Sequence, residues 1–134
     1  MNIIQLLSPK GTVAYLIDEL SIPDALESMR ECGFTAIPVI TKEGRYAGVI
    51  REGDFLWAWL DGSMKDEKGR YRKVRDLLKP ERDRAADINT DPGDVFRMAL
   101  DQNFVPIVDD RNMFIGIVTR KKVINHLLSK LMEM

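Results

Sequence analysis

Residues 33–40 read Gly33-Phe34-Thr35-Ala36-Ile37-Pro38-Val39-Ile40, and residues 46–54, after a polar turn, read Tyr46-Ala47-Gly48-Val49-Ile50-Arg51-Glu52-Gly53-Asp54. The text recurs downstream as Val105-Pro106-Ile107-Val108, a turn at 109–112, and Phe114-Ile115-Gly116-Ile117-Val118-Thr119-Arg120. Pro38 and Pro106 are 68 positions apart, as are Gly48 and Gly116. Upstream the offset becomes 70, with Asp24 matching Asp94, so the second copy lacks two residues between its first helix and its Val-Pro strand. A duplication of this kind makes each copy a supersecondary unit that cannot bury its apolar face alone.

Each copy carries the same element signals. Pro23 suits the first turn of a helix, and Ala25, Leu26 and Met29 recur at helical spacing until Gly33 stops it. Residues 36–40 predict a short apolar strand, 41–45 a glycine-containing turn and 46–50 a second strand; Phe55, Leu56, Trp59 and Leu60 mark an apolar helix face. The second copy predicts a helix at 94–101, strands at 105–108 and 113–119, and a last helix to about Met132. Residues 61–72 are charge-rich without periodicity and read as an exposed insertion. A short helix at 74–78 leads into copy two, and 3–7 is its counterpart at the start of copy one. The expected fold is α/β: two strand–helix–strand–strand–helix repeats in tandem, 1–72 (with the insertion) and 73–134, packed with pseudo-twofold symmetry around a central cleft.

Composition narrows the function classes. A chain of 134 residues buries enough surface to fold without disulfides or a structural metal. A net charge of −1 supplies no field that draws nucleic acid or anionic lipid. The apolar runs are far too short to span a membrane, and residues 1–7 lack the basic start and long apolar region of a leader. Cys32 stands alone, which excludes an intrachain disulfide and fits a reducing, cytoplasmic setting. His126 is the one histidine, so neither a metal cluster nor a Ser-His-Asp arrangement is supported; it reads as lateral on the last helix. Cys32 reads as a small packed side chain. Phe55, Trp57 and Trp59 cannot share one helix face, so one tryptophan is expected to pack and the other to serve a subunit interface. No Walker-type loop and no Gly-x-Ser-x-Gly elbow is present. The basic stretch at 68–75 is interleaved with acids and reads as a solvated loop.

The order Gly-Phe-Thr-Ala-Ile-Pro-Val-Ile, turn, Tyr-Ala-Gly-Val-Ile-Arg-Glu-Gly-Asp closely resembles the CBS motif, named after cystathionine β-synthase, and the second copy resembles it too. The likeness covers nearly the whole chain outside 61–72. It also extends to small stand-alone CBS pairs of Gram-positive bacteria, some of which bind cyclic di-AMP. The resemblance implies a non-enzymatic domain that binds adenosine-containing ligands in the cleft between repeats.

It further implies a site that joins the early strand and Thr-Ala-hydrophobic-Pro strand of one copy to the Gly-h-h-Thr-x-x-Asp loop of the other. This sequence splits that signature: Asp54 is accompanied by Arg51 in place of Thr, and Thr119 by Lys122 in place of Asp. The expected ligand-binding residues are Thr12, Val13 and Ala14, Thr35, Ala36, Ile37 and Pro38, and Thr119, Arg120, Lys121 and Lys122. Thr35 and Ala36 offer backbone groups to an adenine edge, with Val13 and Ile37 as apolar walls. Thr119 fits an N-cap, and Arg120, Lys121 and Lys122 then open a helix whose dipole disfavours cations. A phosphate there removes the conflict, and exposure to solvent or pairing with acids elsewhere is the alternative. A second, weaker site would use Arg51, Asp54 and Phe104, where two residues are missing and a bulky ring intrudes.

The expected function is a regulatory adenine-nucleotide sensor, for cyclic di-AMP or for AMP, ADP or ATP, working as a homodimer on an effector protein in trans. It needs no cofactor. The three cations favour a polyanionic ligand. The alternative is a ligand-free dimerisation or interaction module whose nucleotide site has decayed.

Overall fold

The computed structural model describes residues 2–133. Met1, the first residue of the stretch read for a leader, and Met134, the end of the second expected repeat, lie outside it. In chain order the described strands and helices are β1 (Ser8–Pro9), β2 (Leu16–Ile17), α1 (Ile22–Cys32), β3 (Ala36–Ile40), β4 (Tyr46–Arg51), α2 (Glu52–Leu60), β5 (Ala86–Asp87), α3 (Pro92–Asp101), β6 (Phe104–Val108), β7 (Phe114–Thr119) and α4 (Arg120–Met132). Single 3-10 turns occupy Ile3–Leu6, Lys10–Thr12 and Val74–Leu77. The described residues form two compact units, one of Ala14–Arg82 and one that joins 83–133 to 2–13.

In the Ala14–Arg82 unit the sheet order is β2-β3-β4, with β2 parallel and β4 antiparallel to β3. The Ser21 hydroxyl caps α1 by accepting from the Asp24 amide, and Gly33, left-handed at φ 73°, ends the helix with its N–H on the Met29 carbonyl. Ile22, Ala25 and Met29 of α1 pack with Ile37, Val39, Ile50, Phe55 and Val74. Leu26, expected on that buried face, is exposed. The parallel ladder to β2 begins only at Val39, so Pro38 lies outside the two-sided part of the sheet, where its missing N–H is tolerated.

The second unit repeats the plan with sheet order β1-β7-β6-β5. Val95 and Ala99 of α3 pack with Val105, Ile107, Val118 and Val123, and Pro106 precedes the β5 ladder as Pro38 precedes the β2 ladder. One hydrogen bond marks the repeat offset: the Thr35 carbonyl accepts the Glu52 amide at 3.0 Å, and the Asn103 carbonyl, 68 residues on, accepts the Arg120 amide at 2.9 Å.

The packing units differ from the sequence repeats at their leading segments. Ile3 is buried in the core of the second unit, where Ser8–Pro9 pairs with β7, whereas Val74 is buried in the first, tied there by Val74 N–H to Leu20 and Arg75 N–H to Asp18 carbonyls. Each segment therefore packs with the other repeat, not with the one it introduces. The repeated glycines make room for this. A Cβ on Gly116 (φ 153°) would collide with the Ser8 carbonyl, and one on Gly48 (φ 152°) would press on Leu78 at 3.3 Å.

Two side-chain expectations are corrected. Neither tryptophan packs in a core: Trp57 and Trp59 are 66% and 70% exposed, because the inward stripe of α2 is Asp54, Phe55 and Ala58 and the helix turns Leu56 and Leu60 outward as well. Cys32 is exposed on the last turn of α1 rather than packed. His126 lies along α4 as expected, its ring 5.9 Å from that of Phe96. Most of 61–72 is exposed, although Met64 folds back onto the first core.

Candidate functional site

In the second unit Thr119 caps α4, its Oγ1 accepting the Lys122 amide at 3.2 Å. The three cations that follow do not behave alike. Arg120 turns back across the unit: its Nε donates to the Ala99 carbonyl at 2.7 Å and its Nη2 to the Leu100 carbonyl at 3.4 Å. Its charge thus sits on the C-terminal carbonyls of α3, the negative end of that helix dipole. The expected clash of Arg120 with the α4 dipole is compensated by α3, without a ligand. Lys121 and Lys122 are exposed and make no ion pair among the described residues.

Thr12 belongs to the same unit, in the Lys10–Thr12 turn that packs against β7, and its hydroxyl donates to the Pro9 carbonyl at 2.7 Å. Thr12, Val13 and Ala14 precede β2 and are not part of a strand. In the first unit, Thr35 is exposed just before β3, Ala36 is half-buried opposite Arg51, and Ile37 and Pro38 are buried. Ile37 is a member of the core cluster and is 1% exposed. That leaves Thr35 and Ala36 as the accessible part of this stretch.

Of the residues of the weaker site, Arg51 and Asp54 belong to the first unit and Phe104 to the second. Asp54 is 4% exposed and is enclosed by donors of its own unit. Arg82 grips it with Nη1 on Oδ1 at 2.9 Å and Nη2 on Oδ2 at 2.6 Å, the Arg51 amide donates at 2.9 Å, and Lys79 Nζ stands 3.5 Å away. Burial pushes the Asp54 carboxyl up, but Arg82, the Arg51 amide and Lys79 together outweigh it and hold it below the ordinary aspartate range. The Arg51 amide contact also closes the first turn of α2. Phe104 opens β6 half-buried, with its carbonyl accepting from Gln102 Nε2 at 3.3 Å. Arg82 was invisible to sequence reasoning. It is 28 residues from Asp54, in a stretch without periodicity.

The CBS domain family matches residues 12–61 and 74–129. The chain belongs to that family. Solved structures share the fold of this CBS pair over nearly its full length. CbpB in complex with c-di-AMP is 24% identical, covering 99% of this chain and 88% of that one at a TM-score of 0.87. The CbpB protein of Listeria monocytogenes, also in complex with c-di-AMP, is 24% identical, covering 98% of each chain at 0.83. CBSX2, a CBS-pair protein of Arabidopsis thaliana, is 27% identical in its complex with AMP, covering 96% of each chain at 0.77. A search of curated proteins finds no match. Among the described residues, no helix of the CBS pair is long and apolar enough to cross a membrane, and no group of three or more His, Cys, Asp or Glu side chains is placed to hold a metal ion.

Proposed function

We propose that this CBS pair is a regulatory module, not an enzyme, which binds an adenine nucleotide and signals to an effector protein in the cytoplasm. The observation that carries the reading is the chemistry shared by the ligands of its structural relatives: c-di-AMP and AMP are both adenosine joined to phosphate. Thr35 and Ala36 are exposed or half-buried at the start of β3 and supply backbone groups for the base. Thr119 caps α4, and Lys121 and Lys122, exposed and without ion-pair partners among the described residues, supply the charge for phosphate. Arg120 then acts through its grip on α3, by fixing where α4 begins. The site that would use Asp54 is the weaker one, since its carboxylate is already bound by Arg82. The lysine pair favours a polyanionic adenine nucleotide, cyclic or linear.

Calorimetry of the intact chain with c-di-AMP, AMP, ADP and ATP tests this. A ligand at a hundredfold excess over its Kd raises stability by about 2.7 kcal/mol, well within detection. Thr35→Tyr is expected to abolish the heat while the denaturation midpoint holds. Full affinity in that variant, or no heat with any of the four, overturns the reading.

A ligand-free interaction module is the second reading, favoured by apolar side chains left in the open on α2 and α4. Trp57, Trp59, Leu60, Leu127 and Leu131 are all exposed. These exposed side chains support a homodimer, which is compatible with either reading.

A further inference from the structure

The Ala14–Arg82 unit holds a polar cavity of about 350 Å³ lined by none of the residues assigned to the nucleotide. Arg70, Arg72, Lys73 and Arg75 border it, together with Asp66 and Asp76. Both carboxylates are already engaged. Asp66 accepts the Lys68 and Arg70 amides at 2.9 and 3.0 Å and Arg70 Nε at 3.1 Å, and Asp76 accepts the Lys73 amide at 3.0 Å. Arg75 reaches Glu19 at 3.9 Å, a carboxylate held more closely by Lys42 at 2.9 Å.

Arg72 has no such outlet. Its side chain makes no hydrogen bond or ion pair among the described residues, and its Nε is buried without a partner. A guanidinium N–H removed from water with no acceptor is costly, and buried polar groups are ordinarily satisfied. The backbone fixes the position from both sides: Arg72 N–H donates to the Met64 carbonyl at 2.9 Å, and its own carbonyl accepts from Ile22 at 3.0 Å. The main chain at Arg72 is therefore anchored, and the described residues supply its guanidinium with no counter-ion.

We propose that the cavity is a second anion site, which takes the phosphate group of a small phosphorylated molecule, with Arg72 as its principal ligand and Lys73 and Arg75 beside it. Four cations against two carboxylates leave the wall with a net charge of +2. A guanidinium presents paired N–H groups that match phosphate oxygens, and charge-assisted bonds of this type are the strong ones. The volume lies at the lower end of the small-molecule range, sufficient for a phosphate and the group that carries it. The site stands independently of the nucleotide reading, since the two share no residue.

The test is a nuclear magnetic resonance titration of the intact chain with inorganic pyrophosphate, at ionic strength held constant with sodium chloride. The expected result is a saturable shift of the Arg72 Nε–H resonance, assigned by its loss in Arg72→Lys, together with amides of 66–76. Arg72→Gln should weaken the interaction roughly tenfold or more, and Lys121→Ala with Lys122→Ala should leave it unchanged. If Arg72→Gln does not fold, Arg72→Lys decides, since it keeps the charge and lacks the fork; its affinity should also fall. Shifts that are absent, unsaturable or confined to 119–122 overturn the proposal, as does unchanged affinity in the Arg72 variants. Equal binding of a glutamate-rich peptide of matched charge also overturns it, by making the cavity a contact for an acidic protein.

Discussion

Replacing Arg82 by Ala would leave Asp54 with a charge that has lost its main partner. The Asp54 side chain is 3% exposed and that of Arg82 26%, and Nη1 and Nη2 of the guanidinium donate to the two carboxylate oxygens while Nη2 also reaches the Val49 carbonyl at 3.3 Å. Breaking a fully buried pair costs about 3–5 kcal/mol. Arg82 is partly solvated, and the Arg51 amide and Lys79 stay in place, so the expected loss is about 2–3 kcal/mol. For a chain of this size that lowers the urea midpoint by roughly 1–2 M. The pH dependence is the sharper readout. In the wild type the Asp54 carboxyl is held below its ordinary range, so the stability from its ionised form is complete above the unfolded value of about 3.9 and fades as pH falls through the folded value. In Arg82→Ala the burial that raises it loses its strongest opponent, so the variant takes up the proton at higher pH than the wild type. The stability gap must therefore narrow as pH falls from 7 toward 3. Urea midpoints of both proteins across that window measure it. A gap below about 1 kcal/mol at pH 7, or one that stays constant with pH, would refute the assignment of Arg82 as the holder of this charge.

The cations of α4 should separate cleanly in mutagenesis. Arg120→Ala is expected to cost about 1–2 kcal/mol of stability by denaturant midpoint, because it uncaps the Ala99 and Leu100 carbonyls. Lys121→Ala with Lys122→Ala should leave the midpoint within about 0.5 kcal/mol yet weaken nucleotide binding by calorimetry roughly tenfold or more. Gly116→Ala is expected to cost about 2–4 kcal/mol and to expose residues 3–9 to limited proteolysis, because the added Cβ meets the Ser8 backbone. Analytical ultracentrifugation at micromolar concentration is expected to show a dimer, and Trp59→Glu with Leu131→Glu to return it to monomer.

The repeat made the fold legible. Strand–turn–strand text spaced by 68 residues fixed β3, β4, β6 and β7 to within a residue, since short apolar runs bounded by turn residues leave few alternatives. Thr119 was also readable, because an N-cap is a local device with a local signature. Long-range side-chain partners were not. Nothing in the order of residues links Arg120 to the end of α3 or Arg82 to Asp54, since a flexible side chain chooses its acceptor by three-dimensional proximity. The face of α2 was misread for a related reason. Its composition is apolar nearly all round, so periodicity could not single out Phe55 and Ala58 from the tryptophans beside them. Nor does the motif distinguish Thr35, open to solvent, from Ile37, committed to the core two residues later.

The exchange of leading segments bears on the order in which the chain can fold during synthesis. Residues 14–82 form one continuous stretch, so everything that packs in that unit has been made once residue 82 has emerged. The other unit must wait. Ile3 and Ser8 are translated before that stretch, yet the β7 backbone that Ser8 pairs with, at Ile117, comes more than a hundred residues later. Until then the N-terminal segment has no partner, and closing so long a loop is slow as well as entropically unfavourable. The residues of the first unit are thus all present well before β7 arrives to pair with Ser8–Pro9.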